Sequence, residues 1–205
     1  MSAAHESTNL NKYESGNVVL RALIRRFQGR VTTLLGGQPT PKTALDVGCG
    51  EGFLARVLLD RFPGLALTGV DASAQAIEHA RLRCPEGTFR AATIEALGAS
   101  TERFDLVVCS EVLEHLPRPE PALEVLRARC AGLALLTVPW EPYFQLANLA
   151  RGKYLKDWGN HPEHVQRWSH ADFVRFASTE FEPLHTETCF PWTIFLGRPR
   201  SRPNR

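Results

Sequence analysis

From Asn17 onward the apolar positions Leu20, Leu23, Ile24, Phe27, Val31 and Leu34 recur at helical spacing, and Asn17 itself has the short polar side chain of an N-cap. The opposite face carries Arg21, Arg25, Arg26 and Arg30, which reads as a solvated basic face, and Gly36-Gly37-Gln38-Pro39-Thr40-Pro41 ends the helix. From Thr43 short apolar runs alternate with amphipathic stretches of about a dozen residues, the pattern of β-α units around a parallel sheet. Ala44 to Val47 reads as the first strand, Phe53 to Arg61 as a helix, Leu65 to Val70 as a second strand and Ala74 to Arg83 as a second helix. Thr88 to Ala91 is a weaker strand. Phe104 to Cys109 (FDLVVC) is too densely apolar for a half-exposed strand and belongs in the middle of the sheet; a helix from about Glu120 to Arg129 leads to a similar run, Leu133 to Val138. Ser169 caps a helix to about Ser178, and Phe181 to Cys189 with Thr193 to Leu196 form a closing antiparallel pair.

Between Pro139 and Trp168 the rhythm breaks. This stretch holds three of the four Trp residues and two of the three Tyr, including Tyr143, Tyr154 and Trp158 beside Phe144. It reads either as a substrate wall or lid, or as an extension packed on the domain edge.

Composition narrows the class. With 205 residues, 43% hydrophobic and 22% charged, the chain is an ordinary globular protein of one domain's length, which excludes disorder and fibrous repeats. The net charge of +2 builds no broad single-sign field, so a nucleic-acid partner is not indicated. No apolar run approaches the ~18 residues of a membrane span, and the opening residues lack the pattern of a secretory leader, so the expectation is a soluble, cytoplasmic protein. Five scattered cysteines without a C-x-x-C pair indicate buried thiols rather than a disulfide framework or a cysteine zinc site.

The strongest chemical signal is Leu45-Asp46-Val47-Gly48-Cys49-Gly50-Glu51-Gly52, a glycine-rich turn between a strand and a helix. Glycine has no Cβ, so such a turn lets a ligand touch backbone. Its G-x-G-x-G spacing differs from the G-x-G-x-x-G of dinucleotide sites, which argues against a nicotinamide oxidoreductase. Asp71, in Gly69-Val70-Asp71-Ala72-Ser73, follows Gly50 by 21 residues at the end of the second strand. A carboxylate there can accept hydrogen bonds from both hydroxyls of a ribose, or it can cap the next helix.

Through LDVGCGEG, GVDAS and FDLVVCSEVLEHL, in that order and spacing, the chain resembles the class I S-adenosylmethionine-dependent methyltransferases over roughly residues 43 to 140. The resemblance implies an α/β, Rossmann-like, seven-stranded sheet, mostly parallel, with helices on both faces and the last strand antiparallel. It divides the chain into an N-terminal helical cap (1–38), a methyltransferase domain (39–197) with the aromatic insertion at about 139–168, and a disordered basic tail (198–205). It also implies the cofactor contacts: Asp46 supports the loop; Gly48, Cys49 and Gly50 border the methionine part; Asp71 with Ala72 holds the ribose; Thr93 and Ile94 meet the adenine; and Ser110 and Glu111 face the methyl donor. Many relatives carry Asp where this chain has Thr93, whose hydroxyl can still accept a hydrogen bond.

Methyl transfer from an activated sulfonium asks for alignment, exclusion of water and, for a hydroxyl acceptor, a general base or a metal. Glu111, Glu114 and His115 stand at i, i+3 and i+4, one face of a helical turn, and His161-Pro162-Glu163-His164 follows in the insertion. Glu111, Glu114, His115 and His164, with His161 as substitute, are therefore candidate ligands of a divalent metal. Without a metal, His115 or His164 is the candidate base, since imidazole titrates near neutral pH, and Glu111 completes the catalytic set. The E-x-x-E-H pattern is similar to that of ubiquinone-type O-methyltransferases. Its pairing with H-P-E-H also resembles RNA 3′-terminal 2′-O-methyltransferases. The expected function is O-methylation of a small or lipid-linked acceptor, with the RNA reaction and a non-catalytic S-adenosylmethionine-binding module as alternatives.

Overall fold

Asn17 caps the first helix as its side chain predicts: its Oδ1 accepts from the N–H groups of Val19 and Leu20 at 3.0 and 3.2 Å. That helix, α1 (Val18–Gly36), buries Ile24, Phe27, Val31 and Leu35. Leu35 takes the inward position expected of Leu34, which is only half-buried, because a 3.6-residue period carries the stripe from Val31 to Leu35. Arg21, Arg25 and Arg26 are exposed, as a solvated face requires. The computed structural model describes residues 17–141 and 165–201, and the chain forms two compact units, Met1–Ser100 and Thr101–Arg205.

In the first unit the β-α alternation is realised as β1 (Thr43–Val47), α2 (Phe53–Arg61), β2 (Ala66–Asp71), α3 (Ala74–Arg83) and β3 (Thr88–Ala91). β1 and β3 both run parallel to β2, with Asp46 opposite Gly69 and Asp71 opposite Ala91. Asp71 is part of the strand rather than following it. Helix α3 packs on β2 and β3, and α1 packs on α2. Ser73, not Asp71, provides the N-cap of α3, its Oγ accepting from the Ala76 N–H at 3.2 Å.

The second unit holds β4 (Phe104–Ser110), α4 (Glu120–Arg129), β5 (Cys130–Pro139), α5 (His170–Ala177), β6 (Phe181–Cys189) and β7 (Trp192–Pro199). β4 and β5 are parallel, and β7 is antiparallel to both β5 and β6. Leu106, Val107, Val108 and Cys109 are wholly buried, as expected of a central strand. The seven strands form one sheet in the order β3-β2-β1-β4-β5-β7-β6, mostly parallel, the architecture that the resemblance implied. β5 begins at Cys130, earlier than its apolar run suggests, and Gly132 lets it pass Asp105 closely: a Cβ at Gly132 would stand 2.6 Å from the Asp105 carbonyl oxygen.

The tail assignment needs correction. Arg198 and Pro199 are strand residues, paired with Glu182 and Phe181, and Arg200 donates its N–H to the Glu180 carbonyl and its Nε–H to the Ser178 carbonyl. Ladder hydrogen bonds to β6 order these residues despite the prolines, which hydropathy alone could not show. Residues 202–205 lie outside the described part, as do 142–164 and with them Tyr143, Phe144, Tyr154 and Trp158 of the aromatic insertion. The end of that insertion, Trp168, packs on α5, its ring stacked on Phe176 at 5.2 Å and tilted against Phe173 at 5.5 Å. All five cysteines are buried thiols, none in a disulfide. Among the described residues no helix is long and apolar enough to cross a membrane.

Candidate functional site

The glycine turn is tied to the end of β2. Gly48 and Cys49 both donate to the Val70 carbonyl, at 2.8 and 3.0 Å. Gly48, Gly50 and Gly52 have φ of 70, 52 and 78°, left-handed values that side-chain-bearing residues adopt at a cost. At Gly52 a Cβ would also press on the backbone of Ala80, 3.2 Å away, so glycine lets α3 dock against the loop. Asp71 closes the turn: its Oδ2 accepts from the Gly50 N–H at 2.9 Å and its Oδ1 from the Ser73 N–H at 2.8 Å. An ionised carboxylate has about four acceptor sites, so these two bonds orient Asp71 and leave it capacity for a ribose diol.

Asp46 and Glu51, each almost fully buried, flank this carboxylate. Asp46 Oδ2 and Glu51 Oε2 have no hydrogen-bond partner among the described residues. Burial, reinforced by the negative charge of Asp71, pushes the Asp46 carboxyl up from 3.8 to about 7. Burial also raises Glu51, with Asp71 adding to the rise and Arg83 and His79 opposing it. The Cys49 thiol is driven far up by burial and by Asp46 and Asp71, which makes it inert lining rather than a nucleophile. Around Asp71 the loop thus gathers acidic groups with unsatisfied oxygens, a setting suited to a ligand that carries positive charge and hydroxyl donors. Ala72 and Thr93 are exposed, whereas Ile94 is buried at the start of a short 3-10 helix, Glu95–Ala99.

Glu51 and Arg83 did not stand out in the sequence. The Arg83 guanidinium donates to the Glu51 carbonyl and lies 3.6 Å over the centre of the Phe53 ring, so α3 holds the loop from outside. Only the contact across 32 residues reveals this role.

In the second unit, Ser110 ends β4 with its Oγ 2.8 Å from Thr137 Oγ1 on β5, and the Glu111 N–H donates to the Thr137 carbonyl at 3.0 Å. Glu111 has φ 57°, the one side-chain-bearing residue in the left-handed region among the described residues. Its Oε1 accepts from the indole N–H of Trp192, at the start of β7. Because β7 runs antiparallel to β5, with Trp192 opposite Pro139, the indole lies at the carboxyl edge of the parallel strands, where open α/β sheets bind ligands. Trp192 carried no sequence signal, being 81 residues from Glu111; Thr137, a hydroxyl within the apolar run LALLTV, carried a faint one.

The expected helical face of Glu111, Glu114 and His115 is not formed. Only Leu113–His115 is helical, a single 3-10 turn; Glu111 precedes it in left-handed conformation and Glu114 is buried at 1% exposure. A 3-10 turn repeats every three residues and does not reproduce the i, i+4 alignment. No three His, Cys, Asp or Glu side chains among the described residues form a group able to hold a metal ion. His161 and His164 lie outside the described residues. The Glu114 carbonyl accepts from the N–H groups of Val165 and Gln166 at 2.9 and 3.0 Å, and Gln166 Nε2 donates to the Leu116 carbonyl at 3.0 Å, tying residues 113–117 to the returning chain.

Comparison with known proteins places this geometry in a family. The methyltransferase domain model matches residues 19–181, and the chain belongs to that family, of the class I, S-adenosylmethionine-dependent kind. It is 35% identical over 167 residues to a ubiquinone biosynthesis O-methyltransferase of Alkalilimnicola ehrlichii, covering 70% of this chain and 65% of that one. A protein of the same name from Nitrosomonas europaea is 36% identical over 99 residues, 46% of this chain and 41% of the relative. The chain thus spans between two fifths and two thirds of these relatives. Among solved structures, the magnesium protoporphyrin IX methyltransferase of Synechocystis with bound S-adenosylhomocysteine matches with a TM-score of 0.69 at 21% identity, covering 95% of both chains. An N-methyltransferase of Bradyrhizobium japonicum with the same bound molecule matches at 0.67 and 18% identity, covering 95% and 98%. These two show that the fold is shared.

Proposed function

We propose that this protein transfers the methyl group of S-adenosylmethionine to a hydroxyl oxygen of a small or lipid-linked acceptor. The observation that carries the reading is the Asp71 carboxylate, oriented by the N–H of Gly50 on the left-handed glycine turn and by that of Ser73, and flanked by buried acids with unsatisfied oxygens. In this reading Asp71 with Ala72 holds the ribose, the backbone of Gly48, Cys49 and Gly50 borders the methionine part over Asp46, Thr93 and Ile94 meet the adenine, and Ser110 attends the methyl donor. The name shared by the curated relatives supports oxygen as the acceptor atom and a lipid-linked acceptor among the candidates.

S-adenosylmethionine, when bound, supplies a methyl carbon whose bond to sulfur breaks as its bond to oxygen forms, leaving a neutral thioether. The protein's share is alignment and proton removal. Glu111, fixed by strand and indole, takes the hydroxyl proton in place of His115 or His164, the bases expected from the sequence, because its carboxylate is the group these contacts orient.

The test pairs binding with transfer. S-adenosylhomocysteine titrated calorimetrically should bind wild type and lose at least tenfold in affinity in Asp71→Ala, since a charged acceptor of hydrogen bonds contributes about 1.5–3 kcal/mol. Radiolabelled methyl should pass from S-adenosylmethionine to 3,4-dihydroxybenzoate or a farnesylated catechol and fall sharply in Glu111→Gln. Absence of binding by wild type, or binding without transfer to either hydroxyl probe, overturns the corresponding half of the reading.

A further inference from the structure

We infer that Trp192 is a positioning residue for Glu111, and that the strained Glu111 backbone and the Trp192 indole together form a clamp that aims the carboxylate at the acceptor. This rests on the proposed role of Glu111 as base. Two contacts and a left-handed backbone coincide at that residue. Its N–H is held by the Thr137 carbonyl at 3.0 Å, its backbone lies at φ 57°, and its Oε1 accepts from the indole N–H. A left-handed glutamate persists only where its surroundings over-determine it, and such conformations concentrate at working sites. An ordinary turn after β4 would place glycine or asparagine there.

The indole suits this role. Its N–H only donates, so it binds one carboxylate oxygen in a single sense and gives the second a defined direction. Trp192 is itself fixed: it is 2% exposed, it pairs with Pro139 and Cys189 across β5 and β6, and the Pro191 carbonyl before it accepts from the Trp140 N–H at 2.8 Å. A rigid strand start thus fixes the indole that holds one carboxylate oxygen, while β5 holds the Glu111 N–H. Orientation of this kind is worth much in a displacement reaction, where misplacement by about 1 Å costs on the order of a hundredfold in rate.

The experiment uses Trp192→Phe, which keeps a large apolar ring and removes the donor, and Trp192→His, which restores a ring N–H. In wild type the Trp192 indole proton should resonate downfield and exchange slowly in two-dimensional NMR, and Glu111→Ala should abolish both properties. With 3,4-dihydroxybenzoate as probe, Trp192→Phe should lower kcat by tenfold or more and move the acid limb of the pH profile to higher pH, because losing an N–H donor disfavours the charged carboxylate. KM for S-adenosylmethionine and affinity for S-adenosylhomocysteine should stay at wild-type values, and Trp192→His should recover part of kcat. An indole signal unchanged by Glu111→Ala overturns the clamp, as does a Trp192→Phe protein with wild-type kcat and pH profile. If wild type transfers no methyl to the probe, the base reading falls, while the indole signal still decides the clamp.

Discussion

Asp46 makes stability depend on pH in a direction opposite to that of most structural carboxylates. Its carboxyl rises from 3.8 in the unfolded chain to about 7 in the folded protein through burial and the charge of Asp71. A raised folded pKa means that the native state keeps its proton where the unfolded chain has lost it. Stability from this group is therefore fully present below about pH 4 and falls as pH rises toward 7. At about 1.36 kcal/mol per unit, the whole span corresponds to about 4 kcal/mol and the interval from pH 5 to pH 7 to about 3 kcal/mol. Asp46→Asn keeps the shape and removes the titration. Urea unfolding of both proteins at pH 5 and pH 7 should show the difference between them changing by about 3 kcal/mol in favour of the variant as pH rises. Parallel behaviour of the two proteins would refute the reasoning, because it would mean that the buried carboxyl does not change its charge across this range.

Other consequences follow from the same geometry. Since a cation near Asp46 and Asp71 offsets the charge that raises Asp46, S-adenosylmethionine binding at pH 6.5 should release a proton, read as a buffer-dependent heat in calorimetry; a buffer-independent heat would contradict it. Glu111→Gly should be more stable than Glu111→Ala by about 1–2 kcal/mol in chemical denaturation, because glycine accepts φ 57° without strain, yet both should lose transfer; equal stabilities would remove the strain argument. Gly132→Ala should cost about 1–3 kcal/mol, since its Cβ would meet the Asp105 carbonyl oxygen and neither strand backbone can yield cheaply; an unchanged midpoint would show that the two strands relax apart there.

Much of this protein was legible in the order of its residues. Hydrophobic periodicity placed Phe53–Arg61, Ala74–Arg83, Thr88–Ala91, Glu120–Arg129 and Phe181–Cys189 at the bounds the structure has, because local spacing decides which side chains can share a buried face. The glycine turn and Asp71 were likewise visible, since left-handed backbone and a strand-end carboxylate are properties of a few adjacent residues. What periodicity cannot carry is pairing across distance. The order of Arg198–Arg200 comes from a ladder with β6, the docking of α3 from Arg83 on the Glu51 carbonyl, and the failure of the expected Glu111–Glu114–His115 face from one backbone angle at Glu111. That angle is held by Thr137 and Trp192, contributed by strands 26 and 81 residues further along the chain. The chemistry-bearing residue types were thus written locally, whereas the direction in which Glu111 presents its carboxylate was decided only when distant strands closed around it.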